Sequence, residues 1–165
     1  MSPVVTRART STGAGVIAIL LLVLLFGNQA YSEWAADHAQ GGNAWHLFLR
    51  TLAWPKWFIT SGGETSRNVI GFDIRALLVV VLVAAIIGML AANVVGAFGA
   101  FAIGWFAVIF GAAIAALLTA FIMTDASLFG ALNSAADASR YGLFVGWIVG
   151  IAAAMSRRPA VASAV

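Results

Sequence analysis

Between Ala76 and Met123 the chain carries no charged residue for 48 positions. As one helix that run would be about 72 Å long at ~1.5 Å per residue, more than twice the ~30 Å hydrocarbon core of a bilayer. Such a segment has no polar face to offer water, and in lipid it must double back. The reversal falls at Asn93-Val94-Val95-Gly96-Ala97-Phe98-Gly99, where an Asn and two glycines lie close together; these residues accept the backbone of a tight turn. The pattern predicts two membrane spans, 76–95 and 100–123, joined as a helical hairpin.

The rest of the chain agrees. Hydrophobic residues make up 62% of the 165 and charged residues 9%, against about 45–50% and ~25% in soluble domains. Fifteen charges cannot coat a water-soluble surface of this size, which excludes an ordinary soluble domain and a disordered chain. The net charge of +3 owes much to Arg7, Arg9, Arg157 and Arg158 at the two ends. No basic stripe is interleaved with aromatic residues, so no nucleic-acid partner is expected. The absence of cysteine excludes disulfides, thiolate metal sites and thiol nucleophiles.

Two further apolar stretches read as spans. The first is 13–31, interrupted only by Asn28 and Gln29 near its end, after a polar segment holding Arg7 and Arg9. A signal peptide cleaved near Ala30-Tyr31-Ser32 is the rival reading; the length of the stretch favours a retained span. The other is 141–155, followed by Arg157, Arg158 and Pro159. It is short for a bilayer, so Arg140 is expected to snorkel or the bilayer to thin. Thr124–Arg140 reads as a short polar connection.

The expected fold is thus an all-α membrane protein, one integral domain over 1–165, built as a bundle of four transmembrane helices. Four spans place both termini on one side. The density of Arg at the short tails puts that side in the cytoplasm and the protein in the cell membrane as a multi-pass chain. A cysteine placed at Ser61 should then be labelled from outside intact cells, and one at Ser163 should not.

The extracytoplasmic loop 32–73 is too small for an independent core. Within it Trp45, Phe48, Leu49 and Leu52 share one helical face after Asn43, a good N-cap. Trp54 and Trp57 follow around Pro55. This predicts one amphipathic helix in the headgroup layer, with Trp45, Phe48, Trp54 and Trp57 at the membrane interface. Glu33 and Asp37 are expected to pair with Arg50, Lys56 or Arg67. Asp73 is expected to cap the second span.

Gly142, Gly146, Gly150 and Ala154 recur every four residues, making a smooth helix face that lets another backbone approach. A partner within the chain is expected in the weaker ridge Gly88, Ala92 and Gly96; self-association is the alternative. A large residue at Gly146 should disrupt packing. Val149 is expected on another face, tolerant of replacement by Leu.

Little chemistry is visible. Glu33, Asp37, His38 and His46 match no metal or catalytic pattern and read as solvated loop residues. No catalytic, cofactor or metal residue is expected. No Asp, Glu, Lys, Arg or His lies within the four predicted spans, which argues against a proton-coupled transporter. Asn93 belongs to the turn, and Thr119 can return its hydroxyl to its own helix. The expectation is a non-enzymatic accessory or assembly subunit of a membrane complex, its partners being the lipid bilayer and other membrane subunits or copies of itself. The alternative is a small homo-oligomeric transporter or channel lined by Gly backbone, Thr119 and Asn93. An enzyme working at the outer surface through Glu33, Asp37, His38 or His46 is the weaker third. No motif singles out a family.

Overall fold

The computed structural model describes residues 3–60, 63–123 and 127–156. Six α-helices run through these residues: α1 (Pro3–Phe26), α2 (Gln29–His38), α3 (Ala44–Leu52), α4 (Ser66–Leu90), α5 (Gly96–Met123) and α6 (Leu128–Met155). A 3-10 turn at Ala91–Asn93 links α4 to α5. Three segments, Ser66–Asn93, Gly96–Met123 and Leu128–Met155, are long and apolar enough to cross a membrane. Ser11–Phe26 of α1 is a shorter apolar helix.

Helix α5 lies between α4 and α6, and α1 packs against both α4 and α6. Facing pairs give the directions. Gly71 meets Met123 and Gly111 meets Val83, so α4 and α5 run antiparallel; Gly104 meets Gly150 and Gly142 meets Ile109, so α5 and α6 do too. The interior is made mostly of small and β-branched residues, among them Val79, Val83, Ala107, Val108, Ala112, Val145 and Val149. Larger apolar side chains point outward, including Phe106, Phe110, Leu118 and Phe121 on α5 and Leu143, Phe144 and Trp147 on α6. Water would oppose this arrangement. In lipid the outer surface is apolar at no cost, and close backbone packing holds helices together.

The boundaries depart from the sequence reading in several places. The first apolar helix ends at Phe26, not at residue 31, and it begins at Pro3. Asn28 breaks it from both sides. Its Nδ2 donates to the Leu24 and Leu25 carbonyls, at 3.2 and 2.7 Å, while its Oδ1 accepts from the Tyr31 N–H at 2.8 Å. One side chain therefore closes α1 and opens α2. Gln29–Tyr31 belong to α2, so the region 32–73 contains two short helices and the first turns of α4 rather than one interfacial helix.

Helix α4 starts at Ser66, ten residues before the expected span. Its N-cap is Thr65, not Asp73. Asp73 instead accepts the Phe58 N–H at 2.9 Å. Helix α6 starts at Leu128, with the Ser127 hydroxyl accepting the Gly130 N–H at 3.1 Å. The expected polar connection 124–140 is thus mostly helix; 124–126 lie outside the described residues. At 28 residues, roughly 42 Å, α6 is not short. Arg140 pairs with Asp137 one turn earlier at 3.2 Å, with both side chains exposed.

Candidate functional site

The small-residue ridge of α6 is occupied. A Cβ on Gly150 would lie 2.6 Å from the Phe101 carbonyl oxygen, and one on Gly146 would lie 2.9 Å from that of Trp105. On Gly142 it would strike the Ile109 backbone. Ala154 lies half-buried at the end of the same stripe. The partner is α5. The ridge Gly88, Ala92, Gly96 does not serve: Gly88 has only the Thr12 methyl nearby, and Gly96 has open space. Gly96 has a different use, since its φ of +84° starts α5 from a left-handed backbone that glycine adopts freely. Val149 also departs from expectation. It is fully buried, because three residues from Gly146 is only about 60° around the helix.

The four aromatic residues assigned to the interface divide into two pairs. Trp45 is 61% exposed and stacks on half-buried Phe48 at 5.9 Å. Asn43 caps their helix by accepting the His46 N–H at 2.9 Å. Trp57 and Trp54 turn inward. The Trp57 indole N–H donates to the Val23 carbonyl at 3.0 Å, and its backbone N–H to Gly27 at 2.8 Å. The loop is thereby latched to the end of α1. Gly27 has to be glycine here, since a Cβ would run into the Pro55 carbonyl.

Trp54 belongs to a cluster the sequence reading missed. Its ring lies 5.0 Å from that of Tyr141 on α6. The Arg75 guanidinium of α4 sits over it at 5.0 Å and over Phe72 at 4.8 Å. These are cation–π contacts. The Arg75 Nε and the Tyr141 hydroxyl are both buried without a hydrogen-bond partner. Arg75 stands immediately before the uncharged run that begins at Ala76. The longer α4 carries it into the bundle.

Glu33, Asp37, His38 and His46 do not converge. Glu33 accepts from Gln29 at 2.9 Å, and His38 stacks on Trp34 with its Nδ1 at 3.0 Å from the Trp34 carbonyl. Among the described residues no group of three or more His, Asp or Glu is placed to hold a metal ion. The expected pairing of Glu33 and Asp37 with Arg50 or Lys56 is not formed. Arg67 instead donates to the Ile122 carbonyl, tying α4 to the end of α5. Thr119 is fully buried and donates to Ala115 at 2.9 Å, within its own helix.

Two hollows remain. An apolar groove of about 310 Å³ lies between α1 and α4, lined by Leu20, Leu24, Leu77 and Val80, with Trp57, Phe58 and Asp73 on its wall. A cavity of about 390 Å³ lies between α2 and α3, lined in part by Ser32 and by the exposed Arg50 and Lys56. Near it the Tyr31 hydroxyl donates to the Leu49 carbonyl at 3.1 Å, and burial raises its phenol above the usual value, keeping that proton in place. Compared with protein-family models, curated proteins and solved structures, the chain matches none.

Proposed function

We propose that this chain is a four-span protein of the cell membrane, with both termini in the cytoplasm, serving as a non-enzymatic accessory or assembly subunit of a membrane complex. The observation that carries the reading is the closed bundle interior. Val79, Val83, Val108, Ala112, Val145 and Val149 are all fully buried, so side chains fill the space between the described helices at these positions. The α6 glycines, which a pore would need facing water, face α5. The apolar outer faces and the α2–α3 cap are what such a protein offers to partners.

The chain has no cysteine of its own, so single substitutions at Ser61 and Ser163, both outside the described residues, report topology directly. Labelling of the first alone from outside intact cells supports the orientation, and the reverse pattern overturns it. For function, the protein is cross-linked in native membranes, purified in mild detergent and weighed by native mass spectrometry. A recurrent stoichiometric partner supports the subunit reading. A strictly monomeric species, or ion flux through liposomes holding the purified chain, overturns it.

A further inference from the structure

Helix α2 and its C-cap turn very small buried residues, Ser32, Ala35 and the cap Ala39, toward the rest of the molecule. Their spacing of three and seven makes one stripe. Helix α3 lies against α2, tied by the bond from Tyr31 to Leu49. Because the stripe holds nothing larger than a hydroxymethyl group, it leaves the cavity of about 390 Å³.

The lining of that cavity is chemically one-sided. Arg50 and Lys56 contribute to it and, among its described lining residues, no acid does. Neither cation has an ion-pair or hydrogen-bond partner for its side chain among the described residues. Ser32 is only 9% exposed, and its Oγ is buried with no partner. A hydroxyl removed from water and left unpaired is unfavourable, and a bound acceptor would relieve it. Two cations and a hydroxyl fit an anion with several oxygens; the planar fork of Arg suits phosphate in particular. The volume exceeds that of a simple ion and admits a phosphate with its substituent.

The position of the cavity narrows the choice further. Helix α2 follows directly on the apolar end of α1, and Lys56 precedes Trp57, which binds Gly27 at that same end. The cavity thus borders the apolar part of the molecule, at the level where lipid phosphates lie when α1 is embedded. We propose that the α2–α3 cavity binds a phosphate group, held by Arg50 and Lys56 and completed by the Ser32 hydroxyl. The group belongs either to a phospholipid headgroup or to a soluble phosphate. The lipid source rests on α1 being embedded, as in the four-span reading, whereas phosphate binding in the cavity is tested apart from the subunit role.

The test uses the full chain in detergent. Phosphatidylglycerol, with phosphatidylcholine as control, is titrated by native mass spectrometry, and inorganic phosphate by calorimetry. Binding of phosphatidylglycerol alone assigns the lipid source; binding of inorganic phosphate assigns the soluble one. In either case the Arg50→Gln/Lys56→Gln variant should bind at least tenfold more weakly, with Arg50→Lys between it and the parent, because lysine keeps the charge but not the planar fork. Ala36 is exposed on the rim, and Ala36→Phe should block entry with the charges intact, which decides the matter if the double variant misfolds. No binding of either probe overturns the proposal. So does a parent-like affinity in Ala36→Phe, because the anion would then sit outside the cavity.

Discussion

Gly146 shows how much one hydrogen atom in place of a side chain can decide. Its α-carbon faces the Trp105 carbonyl and the Val108 side chain, with a hypothetical Cβ at 2.9 and 3.1 Å. Overpacking typically costs ~1–3 kcal/mol, and here the obstruction includes backbone, which gives less than a side chain. Gly146→Ile should destabilise the bundle in detergent by an amount at the upper end of that range and lower its thermal midpoint. Val149→Leu, which the sequence suggested as a neutral control, would itself overfill the core. Leu143→Met is the better control, since Leu143 is exposed and such surface changes usually stay within about 0.5 kcal/mol. Equal midpoints for Gly146→Ile and Leu143→Met would show that the α5–α6 contact does not hold the bundle together. The periodicity of these glycines was legible in the sequence. Which helix fills the groove was not, because several spans carry small residues and only their relative rotation chooses among them.

The joint between α1 and α2 is an element-scale device built on Asn28. Its amide closes one helix and its oxygen opens the next, and Trp57 pins the junction from the side. Removing an N-cap costs about 0.5–2 kcal/mol, and Asn28→Ala removes the C-terminal bonds as well. We expect Asn28→Ala to destabilise by roughly 2 kcal/mol and to speed amide hydrogen exchange at residues 24–32 before that of α5. Unchanged exchange there would show that Trp57 alone holds the joint. Hydropathy is blind to this break, since two polar residues near the end of an apolar run barely move an average. The signal was the Gly27-Asn28 pair itself, a stop followed by a cap. The early start of α6 was hidden for a related reason. Its first half mixes Ala with Ser, Asn, Asp and Arg, a composition that reads as a loop to hydropathy but is compatible with a helix.

At the scale of the whole molecule, residues 54, 75 and 141 meet only because loop, α4 and α6 converge. The Tyr141 hydroxyl is buried there without a partner. An unsatisfied buried polar group costs about 1–3 kcal/mol, and deleting it relieves that cost. Tyr141→Phe should therefore leave the ring contact with Trp54 intact and hold or raise the thermal midpoint. A clear drop would mean that the hydroxyl has a bonding partner in the membrane-embedded protein.

The sequence by itself determined that the chain is helical and apolar enough to enter a membrane, where α4 turns back into α5, and that α6 carries a packing face. Each of these follows from composition or from the 3.6-residue period, properties a chain has before it folds. The tertiary structure decided that α5 fills the α6 groove, that Arg75 lies over Trp54 beside Tyr141, and that Arg50, Lys56 and Ser32 border one cavity. Those juxtapositions depend on helix rotation and on where each helix begins. A shift of one or two residues in either moves a side chain to another face, and no local pattern records it.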